Sequence, residues 1–134
     1  PGVEQWYVAG HSLGGAMACR FAHRNPDRVS GLVLFGSYCD RDLSGTDLRV
    51  LTVQGDADTV IDQQQADRSR ANLPENQTVA VTVSGMNHTQ FGAYSGQRGD
   101  GPANISYDRA HAELQRALVE FLTAENVSGS AIAG

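Results

Sequence analysis

The pentapeptide Gly10-His11-Ser12-Leu13-Gly14 places one serine between two glycines, in the pattern G-x-S-x-G. A serine hydroxyl is a poor nucleophile until a nearby base removes its proton, so the motif needs partners elsewhere in the chain. It lies between a strand-like and a helix-like stretch, and a sharp turn there would raise the Ser12 Oγ above the edge of a sheet. Gly10 and Gly14 would permit the close approach of helix and strand. The Leu13 N–H, at the start of the helix, would be a natural oxyanion donor.

His88 is the strongest candidate for the base among the four histidines. It follows the strand-like stretch 78–83, and the catalytic groups of open parallel sheets gather at the carboxyl ends of their strands. The other three histidines are expected to be structural or solvated: His11, which should point away from the serine, His23 on the solvent side of a helix, and His111 in the last helix.

A carboxylate beside such a histidine would hold its tautomer and stabilise the imidazolium that forms during catalysis. Three aspartates follow the stretch 49–54 and are candidates for this role: Asp56, Asp58 and Asp62. The order of serine, aspartate and histidine along the chain is that of one serine-hydrolase architecture, and differs from the trypsin-like and subtilisin-like orders. Spacing alone does not choose among the three aspartates. No metal and no organic cofactor is implied.

Strand-like and helix-like stretches alternate along the chain. Strands are predicted at 5–9, 31–36, 49–54 and 78–83, and helices at 13–24, 61–72 and 107–124. This alternation predicts an α/β fold with about four parallel strands and helices on both faces of the sheet. The connection 37–48 is short and polar, so we expect no large cap over the site. Residues 84–106 form a long irregular stretch of a kind that often carries function, and 126–134 are expected to be a flexible tail.

The composition argues against a nucleic-acid partner. The net charge is −5, and the ten basic residues are all arginines that form no patch, whereas phosphate binding needs concentrated positive charge.

Cys19 and Cys39 form no disulfide framework and lack metal-ligand spacing, so we expect a buried helix thiol and a loop thiol. No apolar run is long enough to span a membrane. The chain opens at Pro1-Gly2-Val3 without a methionine, so we expect a piece of a longer protein, whose compartment is left open.

Together the serine motif, the aspartates and the histidine resemble the α/β-hydrolase superfamily over nearly all of residues 3–124. In these enzymes the acid is usually the aspartate of a G-x-x-D stretch after the penultimate strand, which corresponds here to Gly55 and Asp58. Asp56 is the second choice for the acid, and Asp62 is expected to start the following helix. The resemblance therefore implies a catalytic triad of Ser12, Asp58 and His88.

The loop around the histidine resembles a narrower group, the dienelactone-hydrolase-like alpha/beta hydrolase family 5. The resemblance is carried by residues 85–92, by Tyr94 and Gln97, by Gly99-Asp100-Gly101 and by Ile105-Ser106. It implies hydrolysis of a small-molecule ester or lactone. Phe91 and Tyr94 could line the pocket, although packing of the long loop is the stronger expectation, and Asp100 is expected to be a turn residue.

The resemblance also implies that half of the family's fold lies outside this chain. Such hydrolases usually have eight strands with the nucleophile after the fifth, so residues 1–125 correspond to the C-terminal half. The loop that would supply a second oxyanion donor is then missing, and the strand at 5–9 becomes an apolar edge through which the chain could self-associate. We expect a serine hydrolase that works through an acyl-enzyme. The alternative is an inactive fragment or a binding module that needs a partner to supply the missing half.

Overall fold

A four-stranded parallel sheet forms the centre of the protein, in a computed structural model that describes residues 5–92 and 100–124. The strands lie side by side in chain order: β1 is Tyr7–His11, β2 is Gly31–Phe35, β3 is Arg49–Gly55 and β4 is Thr78–Val83. Ala9 is opposite Val33, which is in turn opposite Leu51. The predicted α/β class with four parallel strands is therefore confirmed, and all four carboxyl ends meet at one edge of the sheet.

Three α-helices accompany the sheet: α1 is Leu13–Arg24, α2 is Gln63–Ser69 and α3 is Tyr107–Thr123. Buried side chains of α1 pack on one face of the sheet against Leu32 and Leu34, whereas those of α3 pack on the other face with Val33 and Leu51. Because alternate side chains of a strand point to opposite faces, the continuous apolar run of β2 supplies both layers of the core.

Two elements, β1 and α2, differ from the predicted bounds by at least two residues at both ends, and the others by at most one residue. Strand β1 extends to His11 because His11 is still paired with Phe35 of β2. The helix predicted at 61–72 is divided: the Asp62 side chain accepts hydrogen bonds from two N–H groups of the first turn of α2, and a 3₁₀ turn, Arg70–Asn72, follows that helix. Asp62 therefore starts the helix, as expected.

The expectation of two free thiols is wrong, because Cys19 and Cys39 form a disulfide. Cys19 lies on the buried side of α1 and Cys39 lies in the loop after β2, and their Cα atoms are 5.4 Å apart. The disulfide could not be predicted from two cysteines 20 residues apart, because only the packing of the loop against the helix brings them together. Closing a loop of this size stabilises a fold by about 3 kcal/mol.

One side of α1 is apolar and exposed. Leu13, Met17 and Phe21 follow one another at four-residue intervals and are 75%, 52% and 41% exposed. We call these three residues the α1 stripe. Helix α1 packs on β1, which is an edge strand of the sheet, and Trp6 just before β1 is also exposed.

Within the described ranges, no helix combines the length and the apolar character needed to cross a membrane.

Candidate active site

Ser12 lies in a sharp turn between β1 and α1. Its backbone angles are φ 57° and ψ −122°, and no other non-glycine residue in the described ranges has a positive φ. Such a conformation costs about 1–3 kcal/mol and persists only where the surroundings hold it. Here the Ser12 N–H donates to the Phe35 carbonyl (3.1 Å), and the Ser12 carbonyl accepts a hydrogen bond from the Ser37 hydroxyl (2.7 Å). The end of β2 therefore holds the turn that presents the serine.

The glycines around Ser12 differ in how much space they leave. A Cβ atom on Gly10 would lie 2.2 Å from the carbonyl carbon of Gly14, and one on Gly15 would lie 2.4 Å from the Ser37 Oγ. A Cβ atom on Gly14 would meet nothing within 4 Å. Of the two glycines singled out in the sequence, only Gly10 is needed for the close approach, and Gly15 is the second residue with that role.

His88 and Asp58 form a buried pair beyond the carboxyl ends of β4 and β3. The His88 Nδ1 lies 2.7 Å from the Asp58 Oδ2, and the two side chains are 1% and 0% exposed. The other carboxylate oxygen of Asp58 accepts hydrogen bonds from the N–H groups of Val60 and Ile61. A carboxylate facing Nδ1 favours the tautomer with the proton on that nitrogen, which leaves Nε2 able to accept one.

The three candidate aspartates occupy different positions. Asp58 contacts the imidazole, Asp56 accepts a hydrogen bond from the Gly85 N–H (2.6 Å), and Asp62 caps α2. The aspartate chosen from the G-x-x-D pattern is thus the one that contacts His88.

Ser12, Leu13 and His88 line a partly open cavity of about 480 Å³. The His88 Nε2 is buried and has no hydrogen-bond partner among the described residues. A buried polar atom without a partner is unfavourable, so Nε2 is available to a hydrogen-bonding group that enters the cavity. The connection between β2 and β3 contains no helix.

One wall of the cavity carries an ion pair that sequence analysis did not single out. Ala16 and Arg20 follow Ser12 at four-residue intervals, so the three residues share one helix face and all line the cavity. Arg20 donates to both carboxylate oxygens of Asp40 in the loop after β2, over 3.3 and 2.6 Å. This hydrogen bonding lowers the pKa of Asp40 and raises that of Arg20. The helical spacing from the serine is the one signal that could have pointed to Arg20.

The imidazole of His11, which was expected only to point away from the serine, packs against the candidate base. The ring centroids of His11 and His88 are 4.5 Å apart, and Phe91 stacks on His11 at 5.3 Å. Burial lowers the pKa of His11 and the neighbouring His88 lowers it further, whereas Asp58 acts to raise it. This contact was not predicted, because the strand was expected to end at residue 9.

We expect His11 to make the stability of the fold depend on pH. Its pKa is lower in the folded protein than its ordinary value of 6.5. The unfolded chain therefore binds more protons once the pH falls below that value, and the free energy of unfolding should decrease from about pH 7 toward about pH 5. Urea unfolding across this range would measure the decrease. It should be smaller in His11→Phe, which keeps the ring packing, and unchanged in the matched exposed variant His23→Phe. If the free energy of unfolding decreases equally with pH in the wild type and in His11→Phe, His11 is not the group that causes the decrease.

Three further candidates among the described residues, Phe91, His23 and His111, lie outside the cavity lining. Phe91 packs against His11 and Phe35, His23 is exposed, and the His111 Nε2–H donates to the Gly92 carbonyl at 3.0 Å. Tyr94, Gln97, Gly99 and the predicted tail at 126–134 fall outside the described residues. Within 5–92 and 100–124, no three His, Cys, Asp or Glu side chains are grouped so that they could hold a metal ion.

Comparisons with known proteins agree on the fold. The sequence model of the alpha/beta hydrolase family matches residues 1–112. Among solved structures, a protein assigned as a CIB-like hydrolase from Thermoplasma acidophilum has a TM-score of 0.65 and 19% identity, covering 90% of this chain and 52% of that one. A protein assigned as a dienelactone hydrolase from Klebsiella pneumoniae has a TM-score of 0.55 and 19% identity, covering 87% and 51%. The thermophilic esterase Est2 from Thermogutta terrifontis has a TM-score of 0.53 and 16% identity, covering 90% and 58%.

These identities are low, so the structural likeness is evidence for the fold alone. The chain spans about half the length of the structures it matches. No curated protein sequence matches it significantly.

Proposed function

Because this chain belongs to the alpha/beta hydrolase family, we propose that it is a serine hydrolase that cleaves a small carboxylic ester or lactone. The observation that carries the proposal is the buried His88–Asp58 pair at 2.7 Å, whose histidine lines the same cavity as Ser12. The turn at Ser12, with its positive φ, has the strand–turn–helix setting of a nucleophile elbow.

The proposed mechanism has two steps. The Ser12 Oγ attacks the substrate carbonyl while the His88 Nε2 accepts the serine proton and then gives it to the leaving alcohol, which forms an acyl-enzyme. Water then attacks the acyl group with His88 as the base, which releases the carboxylic acid and restores the serine. Asp58 holds the His88 Nδ1–H throughout and stabilises the imidazolium. The proposal requires no metal or cofactor.

The start of α1 is the proposed oxyanion site. The backbone N–H of Leu13, the first residue of the helix, would donate to the oxygen that becomes negative during the attack. The helix N-terminus adds a partial positive charge at the same place. The sequence resemblance implies that the second donor belongs to the N-terminal half of the family's fold, and a missing oxyanion donor reduces the rate by about 10²–10³-fold.

Two features support a small substrate. The cavity is partly open and of modest volume, and no helix from the β2–β3 connection covers it. Two of the structures that share the fold are described as an esterase and as a dienelactone hydrolase, so an ester or a lactone is the bond class to test first.

The competing proposal is a chain that is not catalytic by itself, either an inactive fragment or a binding module. It is supported by the length of the chain, about half that of the matched structures, and by the exposed α1 stripe. A partner that supplies the missing half would then be needed for catalysis.

A fluorophosphonate probe followed by intact-mass measurement distinguishes the two proposals. The wild type should gain one adduct, Ser12→Ala should gain none, and His88→Ala should react at least about 10²-fold more slowly because the hydroxyl has lost its base. Ser44→Ala and His23→Ala, at exposed positions, are matched controls and should react like the wild type. A folded wild type without an adduct would favour the non-catalytic proposal. A wild type that is labelled would then be given neutral esters and lactones in turn.

We also expect the chain to self-associate through the edge of β1 and the α1 stripe, because an open strand edge beside exposed apolar side chains favours pairing. Light scattering after gel filtration should give the mass of a dimer for the wild type. Phe21→Glu should shift the equilibrium to the monomer, whereas Leu122→Glu, an equally exposed position on α3, should not. A wild type that is monomeric at every concentration tested would contradict this expectation.

A further inference from the structure

His88 begins a very short helix. Residues His88–Phe91 form a single 3₁₀ turn, which we call the His88 turn, and it follows β4 after a glycine with φ 80°. A turn of four residues has almost no internal hydrogen bonds to hold it, because its first N–H groups lack partners within the helix. The position of the imidazole therefore depends on what satisfies those groups.

Asp100 satisfies two of them. The His88 N–H donates to the Asp100 Oδ1 (3.1 Å), and the Thr89 N–H donates to the Asp100 Oδ2 (2.8 Å). Asn87 and Gln90 satisfy the next pair in a capping box, in which each side chain accepts the backbone N–H of the other. All four N–H groups from Asn87 to Gln90 thus have side-chain acceptors. Asp100 is the only one of these acceptors in the described ranges that comes from outside residues 87–91.

The two carboxylates around His88 have different tasks. Asp58 binds the imidazole ring through Nδ1, whereas Asp100 binds the backbone that carries the ring. Both oxygens of Asp100 are used, one on each N–H group. An asparagine could accept only one of these hydrogen bonds and would turn an N–H donor toward the other.

The segment that carries Asp100 is anchored independently of its carboxylate. The Asn104 N–H donates to the Gly85 carbonyl (2.7 Å), the Gly101 carbonyl accepts from Asn87 Nδ2 (2.9 Å), and the Ile105 carbonyl accepts from Gln90 Nε2 (2.6 Å). None of these bonds involves the Asp100 carboxylate, so we expect the loss of that carboxylate to loosen the His88 backbone without detaching the segment.

From this arrangement we infer that Asp100 is a positioning residue for His88: it clamps the start of the His88 turn so that the imidazole remains on Asp58 and beside the cavity. Its role in catalysis rests on the proposed function, but the clamp itself does not. The inference replaces the expectation that Asp100 merely forms a turn.

The test uses Asp100→Asn and Asp100→Ala, with Asp42→Asn as the matched control. Asp42 is exposed and also accepts a backbone N–H, that of Ser44 (3.0 Å), outside the site. The first readout is the low-field proton NMR signal of the His88 Nδ1–H facing Asp58, which does not depend on any reaction. We expect it to weaken in Asp100→Asn and to disappear in Asp100→Ala, while the melting temperature of Asp100→Asn stays close to that of the control.

The second readout is the rate of fluorophosphonate labelling, together with kcat and KM on an ester that the wild type cleaves. Displacement of a catalytic group by about 1 Å reduces rates by about 10²-fold. We therefore expect labelling and kcat to fall by about 10–10²-fold in Asp100→Ala and by less in Asp100→Asn, with KM nearly unchanged.

A wild-type Nδ1–H signal in Asp100→Ala would overturn the inference. The inference would also be overturned if the signal weakens in Asp100→Asn but the melting temperature of this variant falls well below that of Asp42→Asn. Asp100 would then be only a structural residue. If the signal behaves as expected and the wild type is never labelled, the clamp stands and the proposed hydrolase function fails.

Discussion

Ester hydrolysis should fall by about 10⁴-fold when Asp58 is replaced by asparagine, as it does in serine proteases when the triad aspartate is changed in the same way. Asparagine has the same shape as aspartate, and its oxygen can still accept from the Val60 and Ile61 N–H groups. Its Nδ2–H₂ would then face the His88 Nδ1 in place of a carboxylate oxygen. That donor favours the tautomer with the proton on Nε2, so His88 could no longer accept the Ser12 proton.

The measurement is kcat on a chromogenic ester, with circular dichroism to verify the fold. Asp56→Asn is the matched control, because Asp56 was the second choice for the acid and, among the described residues, accepts the Gly85 N–H through one oxygen. Asparagine can retain that bond, so Asp56→Asn should keep most of its activity. The reverse result, with Asp56→Asn inactive and Asp58→Asn active, would transfer the role of the acid to Asp56.

Gly10→Ala should lower the free energy of unfolding by about 3 kcal/mol. Its Cβ atom would lie 2.2 Å from the carbonyl carbon and oxygen of Gly14, and backbone atoms cannot move aside as the end of a flexible side chain can. Either β1 or the start of α1 would have to shift, and both hold Ser12. We therefore expect the fluorophosphonate reaction to slow as well.

Gly14→Ala is the matched control for Gly10→Ala, because Gly14 belongs to the same motif but lies in the first turn of α1 instead of in β1. A Cβ atom on Gly14 meets nothing within 4 Å, and Gly14 does not have a positive φ. Because alanine favours helix over glycine, Gly14→Ala should be neutral or more stable by about 0.5–1 kcal/mol. Urea unfolding of both variants tests the pair. Equal destabilisation in both would show that something other than space makes these glycines necessary.

The elements that carry the site could be predicted because each has a strong local pattern. The apolar run of β2, the helix after the serine and the strand before His88 are all visible in the sequence. In a parallel sheet the residues after β1, β3 and β4 must meet at one edge, and this is why Ser12, Asp58 and His88 could be proposed as a group.

What could not be predicted depends on contacts between distant segments. The ring packing of His11 on His88 follows from β1 extending two residues further than its apolar stretch, through pairing with β2. The clamp from Asp100 depends on how a loop returns to β4, and no periodicity describes such a loop. The Arg20–Asp40 pair likewise joins a helix to a loop.

The disulfide between Cys19 and Cys39 makes this part of the chain a closed ring. The ring contains the end of α1, all of β2 and the start of the following loop with Ser37, so it includes the support of the Ser12 turn and the cavity-lining residues Arg20 and Tyr38. A single backbone cleavage between residues 20 and 38 would open the ring without separating the chain into two molecules. The two pieces would migrate as one band in electrophoresis until a reductant is added. The segments before and after the cleavage would still be joined covalently at the site.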